Sequence, residues 1–560
     1  MNSPTLVFPD SATQNARKPN YLGLRACCWT VALALGATQA WVTRFTMNPD
    51  GISYLDIGDA YWRHDWHNAI NAYWSPLYSW ILGFFINVIK PSPHWEYPLV
   101  HLVNFLIYVA ALACFEYFLT TWTDILSRSG QETTLPNFFW RILGATIFIL
   151  ASLVLNGLSL ATPDIAVSGC VYLAAALLLR IASELPKAST YAILGVVLGF
   201  AYLAKAAMLP VGLVFLITAF LAGGRSILSL KRSALATAVF CIVAIPFIIA
   251  LSWTHKRIMF SAVGPIAYEV YVDHVNQFIP TGSDLQHPVH RVLDSPETYE
   301  YAEPFHATYP LWFASDYWHQ GIKPYFLASG EKGMVLYGLA LYLYILCIPH
   351  SVMLVALLVL LLIAPNVQRG AHVVVWPQVT PCLFALIMYL VVYTESRYVA
   401  PFVCLLWFAA FSRVRVKRTP LWNRALTAVG ILFLGSAMYF VRAATLHAGS
   451  AAKGMPIYSQ AAEKLYALGI HPEDKLATVA AEPYAGGGAF VARLLRARIV
   501  AESSAQDLHW LVNGQKCAAF EAAVRNLEVR AILFYGEPPS NSALHWTPLA
   551  GTGYYVSLVR

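Results

Sequence analysis

Four short segments carry charged residues whose types and order could do chemistry at a membrane surface. The first, NPDGISY at residues 48–54, places Asp50 directly after the first apolar run. A carboxylate there is within reach of water and of a lipid headgroup, which suits a general base acting on a membrane-surface substrate. Three rival acids, Asp56, Asp59 and Asp65, lie nearby. For Asp50 the alternative is a solvated loop acid or a helix cap.

A second acid and a lysine stand at the ends of later apolar runs. Residues 162–164 read TPD and place Asp164 in a short turn between two predicted spans, where it could also cap the next helix. Lys205 ends an apolar run. An intramembrane lysine is costly and is usually paired or functional, although one at a helix end can extend its amine to the surface. We predict that Asp50, Asp164 and Lys205 share one side of the membrane.

The fourth segment, YTESRYVAP at residues 393–401, packs Glu395 and Arg397 into a tight turn between two predicted spans. A guanidinium group binds phosphate oxygens bidentately, and a neighbouring carboxylate could hold its planar fork in place. The segment therefore indicates a phosphate site. A purely structural ion pair between Glu395 and Arg397 is the alternative.

Composition defines the class of protein that must position these residues. The chain has 560 residues, of which 58% are hydrophobic and only 12% charged, against roughly 25% charged in typical soluble proteins. Its mean hydropathy is +0.55. These values exclude a water-soluble globule and predict a multi-pass membrane protein. The net charge of +7 is explained by basic residues flanking the apolar runs, not by nucleic-acid binding, and the nine cysteines form neither a disulfide framework nor a metal-binding spacing.

Apolar runs predict about eleven transmembrane spans, several of them shorter than the usual ~20 residues. The predicted spans lie near residues 26–43, 98–119, 141–159, 165–182, 190–206, 208–222, 233–253, 334–364, 373–393, 398–412 and 421–441. The stretch 334–364 contains Pro349 and is either one kinked span or two. Positive-inside placement of basic residues favours one crossing, a cytoplasmic N-terminus and an extracytoplasmic C-terminus.

The polar segments complete the domain organisation. We expect a cytoplasmic tail at 1–25, a transmembrane domain at 26–441 with outer loops 44–97 and 254–333, and an extracytoplasmic domain at 442–560. The first loop has spacings typical of interfacial helices at 52–62 and 73–89. The tail reads as a small α/β domain with helices at 459–468, 490–495 and 517–527 and strands at 475–479 and 531–535. Its GGG run at 486–488 is interpreted as a plain helix-start loop and not as a phosphate cradle.

Taken together and in order, these motifs resemble the GT-C superfamily of membrane glycosyltransferases. The resemblance is to the branch that contains protein O-mannosyltransferases and bacterial aminoarabinose transferases. It covers about residues 25 to 415 and also includes an acid-aromatic DW step at 65–66 and a YWSPLYSW segment at 73–80. The expected fold is therefore an all-α polytopic membrane protein of GT-C type with a small C-terminal α/β extracytoplasmic domain.

The resemblance implies an enzyme that uses a polyprenyl-phosphate-linked sugar outside the membrane. Asp50 takes the catalytic acid position and Asp164 that of the second acid, while Lys205 and Arg397 lie near the carrier phosphate. The remaining substrate-binding residues are expected to be Tyr54, Trp74, Tyr78 and Glu395. Two departures stand out: the family often has a second acid after the first, where this chain has Gly51, and its Lys-Pro-Pro-Leu pattern reads Ser75-Pro76-Leu77 here. They leave the donor sugar and a divalent cation open, and the sequence itself assigns no metal ligand.

The expected function is transfer of a sugar, with inversion, to an extracytoplasmic glycan, lipid or protein acceptor. One alternative is an oligosaccharide ligase or polymerase, which would share the donor chemistry. Another is a transporter or flippase for a lipid-linked sugar, but transporters more often place ionisable residues at mid-membrane in repeated, broken helices. The expected location is a bacterial inner membrane.

Overall fold

The computed structural model describes residues 21–128, 135–183, 187–274, 289–301, 306–314, 324–363, 375–416, 419–480, 487–504 and 508–559. In chain order its helices are α1 (Leu22–Val42), α2 (Pro49–Trp62), α3 (Trp66–Ala69), α4 (Pro76–Ile89), α5 (Pro93–Arg128), α6 (Asn137–Leu150), α7 (Asp164–Ser183), α8 (Ala188–Ala204), α9 (Met208–Ala222), α10 (Ile227–Thr254), α11 (Val263–Tyr271), α12 (Pro310–Phe313), α13 (Ala328–Cys347), α14 (Ser351–Ile363), α15 (Trp376–Val392), α16 (Ser396–Phe411), α17 (Pro420–Ala452), α18 (Pro456–Ala467), α19 (Gly487–Leu495) and α20 (Gly514–Asn526). Helix α6 continues as a π-helix over Ala151–Asn156.

A helix occupies each of the eleven apolar stretches read from the sequence. Five helical segments are long and apolar enough to cross a membrane: Pro93–Arg128, Asn137–Asn156, Asp164–Ser183, Ile227–Thr254 and Pro420–Ala467. The chain is thus a multi-pass membrane protein of mostly helical fold. Several of the other helices are shorter than a full span, so the count of about eleven crossings stays a prediction.

The described part of the stretch 334–364, up to residue 363, forms two helices. Helices α13 and α14 are bent by 74° at a short break that contains Pro349. Proline has no backbone N–H and its ring clashes with the preceding turn, which explains why a continuous apolar run does not give one straight helix here. The bent pair counts as a sixth candidate span if it crosses once.

The tail folds as the expected α/β domain around a seven-stranded sheet. Its strands are β1 (Val289–Asp294), β2 (Glu297–Tyr301), β3 (Lys475–Ala480), β4 (Arg498–Ser504), β5 (Val529–Tyr535), β6 (Thr547–Leu549) and β7 (Tyr554–Leu558), in the order β1-β2-β4-β3-β5-β7-β6. Strands β4, β3 and β5 are parallel, and α19 and α20 make the crossovers that parallel strands require. Of the GGG run, Gly487 begins α19, and Gly486 lies outside the described residues.

Strands β1 and β2 come from the long loop and not from the tail, and the sequence did not predict them. Strand β2 pairs antiparallel with β4, so the loop completes the sheet of the C-terminal domain. One hydrophobic core then runs from the first loop into that domain, and it includes Ile52 of α2, Leu82 of α4 and Phe490 of α19. The short helices and the domain therefore form one packed layer at one end of the helix bundle.

Candidate active site

Arg397 lies at the centre of the charged residues singled out from the sequence. Its Nη1 is 3.8 Å from Oδ2 of Asp50 and 3.7 Å from Oδ2 of Asp164, and its Nε donates to Oε2 of Glu395. The structure therefore brings together three acids from three separate segments around one guanidinium group. The Glu395 contact is the one expected from the sequence, and its role in orienting the guanidinium fork stays a prediction.

Lys205 joins this cluster through Asp164. Its Nζ is 2.6 Å from Oδ1 of Asp164 and 3.3 Å from the centroid of the Tyr398 ring. Both oxygens of Asp164 thus face cations, one from Lys205 and the other from Arg397. Burying a carboxylate is costly unless it is paired, and the two cations offset that cost. The partner of Lys205 was not evident from the sequence, because the two residues are on different helices.

All of these residues lie at the ends of helices. Asp50 is in the first turn of α2, which begins at Pro49, and Asp164 is the first residue of α7. Carboxylates at helix N-termini are stabilised by the helix dipole, and proline is favoured at the first helical position. Lys205 follows the last residue of α8, and Arg397 is the second residue of α16.

Two hydrogen bonds between side chain and backbone fix how these helix ends sit against one another. Oδ1 of Asn48 accepts from the backbone N–H of Ala161 at 2.8 Å, which links the approach to α2 with the approach to α7. Oγ of Ser396 donates to the carbonyl of Leu155 at 3.0 Å and links α16 to the π-helix. These bonds could not be predicted from the sequence, since each joins segments far apart in the chain.

Exposure separates the two candidate catalytic acids. The side chain of Asp50 is 34% exposed, whereas that of Asp164 is 3% exposed. Partial burial of the Asp50 carboxyl raises its pKa above the usual value, although the positive charge of Arg397 opposes the change. A carboxylate that is accessible and more basic than usual is suited to accept a proton from a substrate. Asp164 has the burial and the partners of a residue that holds the two cations.

Close packing explains why the residue after Asp50 is not a second acid. A Cβ atom on Gly51 would lie 2.7 Å from Cβ of Ala161 and 2.4 Å from Sδ of Met47. Both distances are well below van der Waals contact. A side chain at this position would require both Met47 and Ala161 to shift, which is consistent with glycine in place of a second acid.

The three rival acids have other partners. Asp56 and Asp59 each lie within 2.8 Å of Nη1 of Arg493 in the C-terminal domain, away from Arg397. Asp65 caps α3 by accepting from the backbone N–H of Asn68. These contacts favour Asp50 over its neighbours as the acid of the cluster.

The aromatic residues expected to bind substrate lie beside Asp50 in a buried group. The Tyr54 ring packs edge-on against Trp74 and against Tyr78, with 5.0 Å between ring centroids in each case. Oη of Tyr78 donates to Oδ1 of Asn104 at 2.6 Å. Their contact with a substrate stays a prediction. A further aromatic contact, missed from the sequence, stacks Tyr271 of α11 on Tyr393 with 3.7 Å between centroids, next to the Glu395 turn.

Metal binding was left open by the sequence. Within the part of the chain that the structure describes, no group of three His, Cys, Asp or Glu side chains is placed to hold a metal ion. In the cluster itself, the positive charge opposite Asp50 and Asp164 is supplied by Arg397 and Lys205.

Comparison with solved structures identifies the fold. The chain is similar to ArnT from Cupriavidus metallidurans, a GT-C aminoarabinose transferase, with a TM-score of 0.56 and 12% identity for the apo state, covering 96% of this chain and 98% of that chain. The ArnT structure bound to undecaprenyl phosphate gives a TM-score of 0.55 and 13% identity over the same shares. An oligosaccharyltransferase from Archaeoglobus fulgidus, in complex with zinc and sulfate, matches less well, with a TM-score of 0.40 and 12% identity over 91% of this chain and 68% of that one.

No protein-family model matches the sequence, and no curated protein matches it significantly. The fold likeness to ArnT nevertheless extends over nearly the whole of both chains. The GT-C fold expected from the motifs is thereby confirmed.

Proposed function

We propose that this protein is a membrane glycosyltransferase that moves a sugar from a polyprenyl-phosphate-linked donor to a hydroxyl group of an extracytoplasmic acceptor, with inversion at the anomeric carbon. The observation that carries the proposal is the position of Asp50. It is the most exposed carboxylate of a cluster whose centre is a guanidinium group. Such a cluster combines a base with a cation suited to phosphate. The ArnT structure with bound undecaprenyl phosphate, on the same fold, supports a lipid-phosphate donor.

In this mechanism Asp50 accepts the proton of the acceptor hydroxyl group. The acceptor oxygen then forms a bond to the anomeric carbon, while the bond from that carbon to the phosphate oxygen on the opposite face breaks. The leaving group is a polyprenyl phosphate, which departs as a weakly basic anion and needs no proton. Arg397 and Lys205 stabilise the negative charge that develops on it.

Arg397 is better placed than Lys205 to contact that phosphate. Its Nη1 is 3.7 to 3.8 Å from Asp50 and Asp164, which is longer than the 2.7–2.9 Å of a charge-assisted hydrogen bond. These contacts attract the carboxylates without using the N–H donors fully. Lys205 is paired with Asp164 at 2.6 Å, so its positive charge mainly compensates that carboxylate.

Binding of the lipid carrier tests the proposal directly. The purified protein in lipid nanodiscs is titrated with undecaprenyl phosphate, and the polyprenyl lipids that co-purify with it are identified by mass spectrometry. We expect saturable binding that is weakened at least tenfold by Arg397→Lys and is unchanged by Arg424→Lys, a control at the start of α17. Absence of binding, or equal binding by wild type and Arg397→Lys, would overturn the proposal.

A further inference from the structure

Arg493 connects the C-terminal domain to the helix that carries Asp50. Its side chain is 3% exposed and belongs to α19. Nη1 lies 2.8 Å from Oδ1 of Asp56 and 2.7 Å from Oδ2 of Asp59, both on α2, and Nε lies 2.7 Å from Oε1 of Glu96 on α5. A single buried guanidinium group therefore holds three buried carboxylates from two other elements.

Arg496 completes this charged group at its rim. Its Nη1 is 3.3 Å from Asp59 and its Nη2 is 3.2 Å from Glu96, and its side chain is 35% exposed. Two guanidinium groups thus face three carboxylates. Removing Arg493 would leave three buried carboxylates with one partly exposed cation, and an uncompensated buried charge is strongly destabilising. The network therefore makes the position of α2 depend on Arg493 of α19.

The long loop reinforces the same connection. Oδ2 of Asp56 accepts from the backbone N–H of Thr308, and its Oδ1 accepts from Oγ1 of Thr308, both at 2.8 Å. Four residues later, the carbonyl of Trp312 accepts from Oγ of Ser53 at 2.8 Å. The carbonyl of Thr308 in turn accepts from the backbone N–H of Ile499 in β4. Helix α2 is consequently bound on successive turns by the loop and by the domain.

The turns of α2 that contact Arg493 lie close to Asp50 in the same helix. Asp56 is six residues after Asp50 in the same helix, which is about 9 Å along the helix axis. At the other end, Asn48 fixes the entry to α2 through its bond to Ala161. The position of the Asp50 carboxylate relative to Arg397 depends on where α2 lies, and Arg493 contacts the second half of that helix at Asp56 and Asp59.

We infer that Arg493 is a positioning residue for the transfer reaction: through its contacts with Asp56 and Asp59 it holds α2 so that Asp50 faces Arg397, and the C-terminal domain is thereby a part of the catalytic unit. This inference rests on the proposed function of Asp50. It assigns a role to a domain for which the sequence offered none. Arg493 itself touches no reacting atom, so its effect is on the geometry of the base and not on carrier binding.

The test uses Arg493→Lys in the full-length protein. A lysine keeps the positive charge, but one ammonium group cannot reach Asp56, Asp59 and Glu96 with the geometry of a guanidinium fork. Arg525→Lys is the matched control, because Arg525 forms its ion pair with Glu521 on the surface of the same domain. Three quantities are measured in each variant: kcat for turnover of undecaprenyl-phosphate sugar, the inhibition constant of undecaprenyl phosphate, and the pH at which activity is half-maximal on the acid side.

For Arg493→Lys we expect kcat to fall at least tenfold and the acid-side midpoint to move, with an inhibition constant within twofold of wild type. The inhibition constant of undecaprenyl phosphate should not change, because Arg397 and Lys205 lie at the ends of other helices. Arg525→Lys should resemble wild type in all three. If Arg493→Lys lowers only the melting temperature and leaves kcat and the midpoint unchanged, the residue is a structural tie and the inference is wrong.

A second variant keeps the test decisive if Arg493→Lys does not fold. Asp59→Asn removes one carboxylate from a group that has three carboxylates for two cations, so it should fold, and it should still lower kcat selectively. Wild-type kcat in folded Asp59→Asn would contradict the inference. Asp50→Asn in the same assay distinguishes failure of the positioning role of Arg493 from failure of the proposed function. If it is inactive while Arg493→Lys and Asp59→Asn behave as Arg525→Lys does, only the positioning role fails; if it is fully active, the proposed function itself fails.

Discussion

Asn48 and Ala161 join the two acidic helix ends of the site through one hydrogen bond of 2.8 Å, in which the Asn48 side chain accepts from the Ala161 backbone. Asn48→Ala leaves that N–H without its partner, at an expected cost of about 1–3 kcal/mol in the free energy of unfolding. The melting temperature and the transfer rate should both fall. Asn541→Ala, at an exposed position, is the control. Unchanged melting and rate in Asn48→Ala would mean that the bond positions nothing.

Asp50→Asn preserves the size and shape of the side chain while removing its ability to accept a proton. We expect folded protein with carrier binding near wild type and a transfer rate reduced about 10²-fold or more. Asp164→Asn should reduce the rate less. Full activity of Asp50→Asn, together with inactive Asp56→Asn or Asp65→Asn, would show that the base has been assigned to the wrong acid.

The proton-accepting role of Asp50 also predicts a pH dependence. Burial raises the pKa of its carboxyl, so the deprotonated form is lost at a higher pH than for an exposed aspartate. Transfer should therefore decline as the pH falls, with a midpoint above the usual aspartate range. Removing the opposing positive charge with Arg397→Gln should move the midpoint further up. A rate that stays constant down to pH 4 would argue against Asp50 as the base.

Arg397→Lys conserves charge but removes the planar fork. Loss of one charge-assisted hydrogen bond to phosphate should cost about 1.5–3 kcal/mol, a ten- to hundredfold loss of rate at low donor concentration. Lys205→Met should weaken donor use similarly and leave acceptor saturation unchanged. If Arg397 only pairs with Glu395, then Arg397→Lys and Glu395→Gln would both lower the melting temperature without a selective donor defect. Donor titrations and melting curves on the same variants distinguish these outcomes.

Glu502 should make the stability of the C-terminal domain depend on pH. Burial raises the pKa of its carboxyl from 4.5 to about 7, even though Tyr301 and Tyr309 donate hydrogen bonds to it at 2.5 and 2.7 Å. Because the folded state holds this proton more tightly than the unfolded state, stability is greatest below pH 4.5 as far as this residue is concerned. It should fall by roughly 3 kcal/mol as the pH rises to 7. Between pH 5 and 7.5 the melting temperature of wild type should fall more steeply with pH than that of Glu502→Gln. Equal dependence on pH in the two proteins would contradict the assignment.

The orientation in the membrane can be tested with single cysteines in a chain cleared of its nine native ones. Ser540 in the C-terminal domain and Ser189 at the start of α8 are both exposed. With an extracytoplasmic domain, Ser540→Cys should react with an impermeant maleimide in intact cells, and Ser189→Cys only after the cells are opened. The reverse pattern would invert the proposed topology.

Much of the fold could be read from the sequence because its signals are local. Apolar runs specify helices wherever they fall, and Asp50, Asp164, Lys205 and Arg397 stood out because each is a charge at the end of such a run. The sequence could not predict which charged residues pair with each other. Asp164 with Lys205 depends on how two helices meet.

Two other features were missed for related reasons. In the sequence Asp56 and Asp59 stand only as rivals of Asp50, because their partner Arg493 lies more than four hundred residues later in the chain. Strands β1 and β2 were missed because they are short and their partner, β4, belongs to the tail. Tyr398, under the Lys205 amine, could have been found, since it directly follows Arg397 in the motif.

The shared sheet has a consequence for any attempt to separate the tail from the rest of the chain. In the intact protein β2 covers the side of β4, and the sheet ends at β1, which has a β-bulge between Arg291 and Leu293. Bulges and charged residues discourage one sheet edge from pairing with another. A fragment that begins at α18 would lack both strands and would expose the hydrogen-bonding groups of β4 to neighbouring molecules. Such a fragment is expected to self-associate, and exchange of this domain between related chains would have to include strands β1 and β2.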